Sequence, residues 1–160
     1  MKKIIVIGCP GAGKSTFARR LRDKTGLSLY YLDMIWHKPD KTNITRQEFD
    51  LKLSEIIKKD EWIIDGNYGR TLEMRLKECD TVFLMDMPVS VCLAGAKTRI
   101  GIKREDMPWK EDKLEDEFRD WIINFSRDEM PQVYELLKKY KEKNIVVFKS
   151  HEEVNNFDIL

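Results

Sequence analysis

The stretch Gly8-Cys9-Pro10-Gly11-Ala12-Gly13-Lys14-Ser15 matches the pattern G-x-x-x-x-G-K-S, and the apolar run Ile4-Ile5-Val6-Ile7 stands directly before it. After it, apolar residues recur at helical spacing until Gly26, which suits the first position beyond a helix end. A buried strand, a glycine-rich turn and a helix in this order predict a phosphate-binding P-loop rather than an ordinary glycine turn. The reason is geometric, because glycines let consecutive N–H groups point at one anion, toward which the helix also directs its positive end.

The P-loop predicts a nucleotide site with defined roles for two side chains. In such loops the lysine, here Lys14, reaches the β- and γ-phosphates, and the hydroxyl of the next residue, Ser15, is a ligand for Mg²⁺. ATP and Mg²⁺ are therefore the expected ligands, and the sequence lacks the guanine-specific pattern N/T-K-x-D, which favours adenine. The predicted nucleotide-binding residues are Gly8, Pro10, Gly11, Ala12, Gly13, Lys14, Ser15 and Thr16.

Length and composition predict one soluble domain. The 160 residues suit a single domain over 1–160, and no apolar run is long enough to cross a bilayer. The basic start Met1-Lys2-Lys3 is followed by too few apolar residues for a signal peptide, so a cytoplasmic location is expected. With 29 basic and 28 acidic residues the formal net charge is +1, which disfavours direct binding to nucleic acid through counterion release.

Five short apolar segments alternate with helical patterns along the chain. This alternation predicts an α/β fold, a P-loop NTPase sandwich of three layers with a five-stranded parallel sheet and helices on both faces. Pro39 predicts that residues 34–40 are irregular, and Pro131 predicts a break or kink in the helical pattern that begins near Leu114. The predicted strands lie near residues 4–7, 27–32, 61–64, 81–85 and 144–148.

Three aspartates, Asp33, Asp65 and Asp86, each follow a predicted strand. Ligands of parallel α/β sheets bind beyond the carboxyl ends of the strands, so at least two of these aspartates are expected to border the P-loop site. Asp65 is favoured as the carboxylate near Mg²⁺ because polar residues follow it, whereas a loop or cap role explains Asp86 at least as well. Asp33 is the candidate to accept a proton from an attacking hydroxyl or to hold that hydroxyl in line.

Aromatic residues separate into site candidates and core candidates. Trp36, in a polar stretch, and Tyr68 offer flat surfaces for a base or sugar, and Asn67 adds a polar group beside Tyr68. Trp62 and Trp121 fit the strand and helix patterns and are predicted to pack in the core.

An irregular segment over about residues 101–113 contains Pro108 and many charges. We predict that this lid segment folds over ATP, which would exclude water and bring guanidinium groups to the transferring phosphate. Arg99 and Arg104 are the candidates for that contact, and a solvated charge cluster is the alternative. The predicted catalytic residues are Lys14, Asp33, Arg99 and Arg104, and the predicted metal ligands are Ser15 and Asp65.

Over nearly its whole length the chain resembles the small P-loop kinases of the adenylate kinase and shikimate kinase type. The stretch Asp65-Gly66-Asn67-Tyr68-Gly69-Arg70 is similar to the Asp-Gly-Phe-Pro-Arg turn of adenylate kinases. In that family the aspartate acts near Mg²⁺ and the arginine binds the phosphate of the acceptor, which the resemblance implies for Asp65 and Arg70. With this addition the candidate substrate-binding residues are Asp33, Trp36, Asn67, Tyr68 and Arg70.

Three stretches resemble more specifically the bacterial FlaR-related "DNA topology modulation protein" group. They are Leu32-Asp33-Met34-Ile35-Trp36, Trp62 to Tyr68, and Phe83 to Pro88. The chain departs from adenylate kinases because Asn67-Tyr68 replace Phe-Pro and because it carries no four-cysteine lid. The resemblance therefore leaves AMP in doubt as the acceptor.

Two hypotheses of different classes follow. The first is an ATP-dependent kinase that transfers the γ-phosphate to a small acceptor, a nucleoside or a nucleotide. The second is a regulatory nucleotide-binding protein that modulates DNA topology, or acts on a protein partner, through an ATP-dependent change of shape. The near-neutral charge and the carboxylates and arginines expected around the acceptor favour the enzyme. The oligomeric state is left open.

Overall fold

The computed structural model describes residues 1–159, and its centre is one sheet of five strands. The strand order is β2-β3-β1-β4-β5, and every neighbouring pair is parallel, which confirms the predicted fold class. All five predicted strands are present, with small shifts at their ends. They are β1 (Lys3–Gly8), β2 (Leu29–Tyr31), β3 (Trp62–Asp65), β4 (Thr81–Met85) and β5 (Asn144–Phe148).

The helices connect these strands in both directions along the sheet. From β1 the chain crosses to β2 on one side, and from β3 it crosses over β1 to β4 on the other. Because parallel crossovers are right-handed, connections that run in opposite directions place their helices on opposite faces. The helices are α1 (Lys14–Thr25), α2 (Leu32–Trp36), α3 (Arg46–Ile57), α4 (Gly69–Glu78), α5 (Val89–Thr98), α6 (Asp116–Asp128), α7 (Met130–Lys139) and α8 (His151–Asn156).

The central strands are continuous apolar runs because both faces of a parallel sheet are covered. Ile4 to Ile7 of β1 are fully buried, as are Ile63 and Ile64 of β3. Outside residues 1–159 nothing is described, and within them no helix has both the length and the apolar character needed to cross a bilayer.

Two local predictions are confirmed. Gly26 ends α1 with a left-handed backbone and donates its N–H to the Arg22 carbonyl. The helical pattern after Leu114 is divided at Glu129 into α6 and α7, with Pro131 in the first turn of α7, where its missing N–H costs nothing.

Two local predictions are wrong. Residues 34–40 are not wholly irregular, because α2 continues from β2 through Trp36 and stops two residues before the position that Pro39 restricts. Asp33 therefore lies in the first turn of a short helix. Trp121 is 43% exposed, since α6 turns Ile122 and Phe125 into the core and leaves the position before Ile122 outside.

The P-loop packs backbone to backbone against α5. Gly11 has φ 83°, in the left-handed region, and a methyl group there would overlap the carbonyl oxygen of Cys92. A methyl group on Gly95 would overlap the carbonyl oxygen of Gly11 in turn. Both glycines are thus required by this contact, although glycine inside a helix costs about 1 kcal/mol relative to alanine.

This contact predicts that Gly95→Ala destabilises the protein, although alanine has the higher helix propensity. We expect a loss of about 1–3 kcal/mol in the free energy of unfolding, because the new methyl group forces α5 away from the P-loop. Urea denaturation at a single pH measures it. The matched control is Gly69→Ala, whose methyl group would lie at an ordinary 3.5 Å from Glu129 Oε2. Equal stability of Gly95→Ala and wild type would contradict the required contact.

Candidate functional site

A cavity of about 840 Å³ opens at the carboxyl ends of the strands. Its wall is formed by the P-loop, the ends of β2 and β3, the lid segment and one side of α6. The sequence-predicted site residues that line it are Gly8, Pro10, Lys14, Ser15, Asp33, Asp65, Asn67, Tyr68, Arg70, Arg99 and Arg104. Most of the candidates from four separate parts of the sequence thus face one space.

Five predicted residues do not line this cavity. Gly11 and Ala12 form the turn behind it, where the Ala12 N–H donates to the Cys9 carbonyl at 3.1 Å. Trp36 instead packs edge-on against Phe49, with ring centroids 5.8 Å apart, so we do not place it among the acceptor contacts. The residues outside the lining are Gly11, Ala12, Gly13, Thr16 and Trp36.

At the P-loop end, the serine hydroxyl joins the loop to the end of β3. Ser15 Oγ donates to Asp65 Oδ2 at 2.6 Å, and Lys14 Nζ donates to the Cys9 carbonyl at 3.0 Å. Asp65 is only 5% exposed, and its other oxygen, Oδ1, has no hydrogen-bond partner among residues 1–159. Burial raises the pKa of Asp65 to about 6, against the opposing effects of Lys14 and Ser15. A buried carboxylate oxygen without a partner, beside a serine hydroxyl, is a fitting ligand for a hard cation.

Asp86, the other strand-end candidate for this role, points elsewhere. Its Oδ2 accepts from Lys149 Nζ and from the Tyr134 hydroxyl, each at 2.5 Å, and it does not line the cavity. The choice of Asp65 over Asp86 from the residues that follow each therefore agrees with the geometry.

A short hydrogen bond joins two of the predicted site residues that line the cavity. The Tyr68 hydroxyl donates to Asp33 Oδ1 at 2.6 Å. Burial, followed by the charge of Asp33, raises the pKa of Tyr68 well above its ordinary value, so the phenol keeps its proton and acts as a donor. Asp33 is 43% exposed on its side chain, which leaves it open to a ligand in the cavity.

The turn that carries Asn67 and Tyr68 is held by Arg75, which sequence reasoning missed. Arg75 is completely buried, and its guanidinium donates to the carbonyls of Gly66, Asn67 and Tyr68 at 2.8, 2.6 and 3.0 Å. Burial lowers the pKa of Arg75 to about 9. Tyr68 has φ 31°, a left-handed conformation unusual for a tyrosine, and such strain persists only where the surroundings impose it.

The lid segment, residues 101–113, contains no helix or strand and is pinned at its base and tip. The Gly101 N–H donates to the Glu111 carbonyl at 2.7 Å, and Glu105 bonds to the Tyr31 hydroxyl at 2.6 Å and to Arg22 at 2.8 Å. Arg104 lies 3.4 Å from Asp106 and 3.3 Å from Glu111. Arg99, at the end of α5, has a buried Nε without a partner in the described structure, and burial lowers its pKa.

The remaining wall, distant in sequence from the P-loop, is aromatic and acidic. The rings that line it include Trp109, Phe118 and Trp121, and the carboxylates include Asp112, Glu115 and Glu129. Arg70, the residue expected to bind an acceptor phosphate, makes a two-pronged ion pair with Asp50 at 2.8 and 3.1 Å. The one arginine of the Asp65–Arg70 turn is thus engaged by a carboxylate.

Arg75 and Arg70 lie on the same helix, α4, but their replacement by methionine is expected to change the stability by very different amounts. Arg75→Met would leave the carbonyls of Gly66 and Asn67 without the donor that Arg75 supplies, so we expect a loss of about 2–4 kcal/mol in the free energy of unfolding. Arg70→Met removes only an exposed ion pair, and its expected cost is below about 1 kcal/mol. Urea denaturation of both variants measures the difference. If Arg75→Met cost no more than Arg70→Met, Arg75 would not be what holds the turn.

Comparisons with known proteins agree with this architecture. No protein-family model matches the chain. The adenylate kinase of Thermotoga neapolitana is 32% identical over 88 residues, which cover 54% of this chain and 39% of that protein. The matched stretch therefore spans only about two fifths of the relative's length.

Two solved shikimate kinases superpose on almost the whole chain. The enzyme from Bacteroides thetaiotaomicron has a TM-score of 0.62 at 17% identity and covers 95% of this chain and 91% of its own. The enzyme from Acinetobacter baumannii, solved in complex with shikimate, has a TM-score of 0.61 at 14% identity and covers 94% of this chain and 84% of its own. The chain therefore has the P-loop α/β fold found in shikimate and adenylate kinases.

Proposed function

We propose that this chain is an ATP-dependent kinase that phosphorylates a hydroxyl group of a small molecule, most suitably a nucleoside. The observation that carries the proposal is one cavity lined by two chemically different groups of side chains. Lys14, Ser15 and Asp65 form one group, and the hydrogen-bonded pair of Asp33 and Tyr68 forms the other. A phosphate donor and a hydroxyl acceptor could thus meet inside a single space.

The P-loop end supports the binding of ATP. Lys14 would leave the Cys9 carbonyl for the β- and γ-phosphates, and the loop N–H groups would donate to their oxygens. Ser15 and Asp65 would hold Mg²⁺, and all donor atoms there are oxygens, as that ion prefers. When bound, Mg²⁺ neutralises charge on the phosphates.

The reaction itself asks the protein mainly for positioning and charge. The acceptor hydroxyl oxygen forms a bond to the γ-phosphorus while the bond from that phosphorus to the β–γ bridging oxygen breaks. The hydroxyl proton passes to Asp33, and ADP leaves. Tyr68 fixes the orientation of the Asp33 carboxylate through its 2.6 Å hydrogen bond, and Arg99 and Arg104 stabilise the equatorial oxygens.

Charges around the acceptor favour an acceptor without phosphate. Arg70 is paired with Asp50, and Asp112, Glu115 and Glu129 also line the cavity. Like charges raise the free energy of a bound phosphate or carboxylate group, whereas aromatic rings accept a flat neutral base. The resemblance to the topology modulation group remains a prediction, because the matches described above are to adenylate and shikimate kinases.

The proposed activity is tested by ADP release from ATP and Mg²⁺ with a panel of nucleosides, nucleoside monophosphates and small hydroxy acids. We expect nucleosides to stimulate ADP release most, with kcat/KM about tenfold above that of their monophosphates, because the carboxylates that line the cavity repel a phosphate; tenfold corresponds to about 1.4 kcal/mol. Lys14→Met should abolish the stimulated rate. A slow rate that no acceptor raises would contradict the kinase, whereas preference for monophosphates would contradict only the choice of acceptor.

A second test compares two strand-end aspartates. Asp33→Asn should lower kcat by about 10²-fold or more, because the amide cannot take the hydroxyl proton, while the KM for ATP stays close to that of wild type. Asp86→Asn is the matched control, since this carboxylate lies outside the cavity and should leave kcat within about twofold. Steady-state kinetics with the best acceptor gives both values, and an unchanged kcat for Asp33→Asn would remove Asp33 from the mechanism.

A further inference from the structure

The lid segment places a carboxylate against the P-loop serine, and neither the motif nor the resemblance assigns it a role. Asp106 is only 4% exposed, although it belongs to an irregular segment rich in charge. Its Oδ2 lies 3.3 Å from Ser15 Oγ, the same hydroxyl that donates to Asp65 at 2.6 Å. One serine hydroxyl is thus shared between a carboxylate from β3 and a carboxylate from the lid segment.

The surroundings of Asp106 hold it in this position. Arg104 Nη1 lies 3.4 Å from Oδ2, and Arg19 Nη1 of α1 lies 3.9 Å from Oδ1. The preceding residue, Glu105, bonds to Tyr31 and Arg22, so the lid segment is fixed to β2 and α1 directly before Asp106. The carboxylate is therefore delivered by a docked loop rather than by chance proximity.

A second observation indicates that the shared hydroxyl marks a cation site. Asp65 is only 5% exposed, and its Oδ1 has no hydrogen-bond partner in the described residues. The two carboxylates beside this hydroxyl repel each other, and although Arg104 and Arg19 offset the charge of Asp106, Asp65 Oδ1 has no such partner, so a bound cation would lower the free energy of the site.

We infer that Asp106 is a third protein ligand of the magnesium site, so that Ser15, Asp65 and Asp106 hold the metal of the nucleotide complex together and the lid segment closes onto that metal. This inference rests on the proposed binding of a magnesium nucleotide. It adds a coupling between the metal site and the lid segment. A lid segment that contributes a metal ligand docks more tightly when the metal is present, and the metal binds more tightly when the lid segment is docked.

The same geometry is compatible with a different role for Asp106, in which its carboxylate occupies the position of a nucleotide phosphate. Asp106 lies beside Ser15 and between two arginines, which is also where a phosphate oxygen of a nucleotide would bind. If the carboxylate merely occupied that position in the absence of nucleotide, its removal would strengthen nucleotide binding without metal. If it is a metal ligand, its removal weakens metal binding in the ternary complex.

The experiment measures the affinity for Mn²⁺, used in place of Mg²⁺, by electron paramagnetic resonance. A non-hydrolysable ATP analogue is bound and no acceptor is present. Asp106→Asn should weaken Mn²⁺ binding in that complex by about tenfold, a common cost for losing a carboxylate partner of a metal. Asp106→Glu, which keeps the charge, should recover part of the loss. Asp86→Asn is the matched control, because it is the same substitution at a strand-end carboxylate that lies outside the cavity and bonds to Tyr134 and Lys149 instead of Ser15.

Thermal unfolding of each variant without ligands shows whether the fold is kept, and isothermal titration with the analogue in EDTA gives metal-free nucleotide affinity. Unchanged Mn²⁺ affinity in folded Asp106→Asn would overturn the inference. So would tighter metal-free nucleotide binding with unchanged Mn²⁺ affinity, which would identify Asp106 as a competitor of phosphate. Failure of wild type to bind Mn²⁺ with the analogue would overturn both this inference and the proposed function, so the two failures are distinguishable.

Discussion

The direct contact between the P-loop backbone and α5 is the constraint on which the rest of the site depends. A loop that turns its N–H groups inward must turn carbonyl groups outward, and each of these needs a neighbour. Here the Gly11 carbonyl abuts Gly95 of α5, and the Ala12 carbonyl lies 3.2 Å from His151 Nε2. The outer side of the loop is thus covered by α5 and α8. These contacts support the back of the loop, so the shape proposed to bind phosphate does not depend on a bound anion.

The position of α5 in turn fixes the lid segment. Arg99 follows the last turn of α5, and the hydrogen bond from the Gly101 N–H to Glu111 closes the base of the lid segment immediately afterwards. Glu105 and Asp106 then reach back to β2, α1 and the P-loop. One rigid contact at Gly11 and Gly95 therefore determines where two arginines and one buried carboxylate meet the cavity. A change in the packing of α5 would move all three together.

The sequence is sufficient for features that depend on local pattern and insufficient for those that depend on tertiary contact. The strands, the P-loop and the position of Asp65 follow from apolar runs and from one motif that the whole fold shares. Arg75 could not be found in this way, because its partners are backbone carbonyls, which leave no signature in the sequence. Trp121 was misplaced because adjacent positions of a helix face different directions, so a shift of a single residue moves a side chain from the core to the cavity. Asp106 is hidden for a third reason, since an acid in a charged irregular segment has the same composition as a solvated loop.

The distribution of charge explains why the cavity would discriminate between a nucleotide without metal and a nucleotide bound to a divalent cation. Lys14, Arg99 and Arg104 line the end that would receive phosphates, but Asp65 and Asp106 stand among them with their negative charges. A nucleotide without metal would bring further negative charge to two carboxylates, at a distance where low polarity strengthens repulsion. A nucleotide with a divalent cation reverses the sign of that interaction. Under the proposed function, the same carboxylates that disfavour the bare anion would therefore favour the metal complex, so charge alone would give selectivity for the reactive form of the donor.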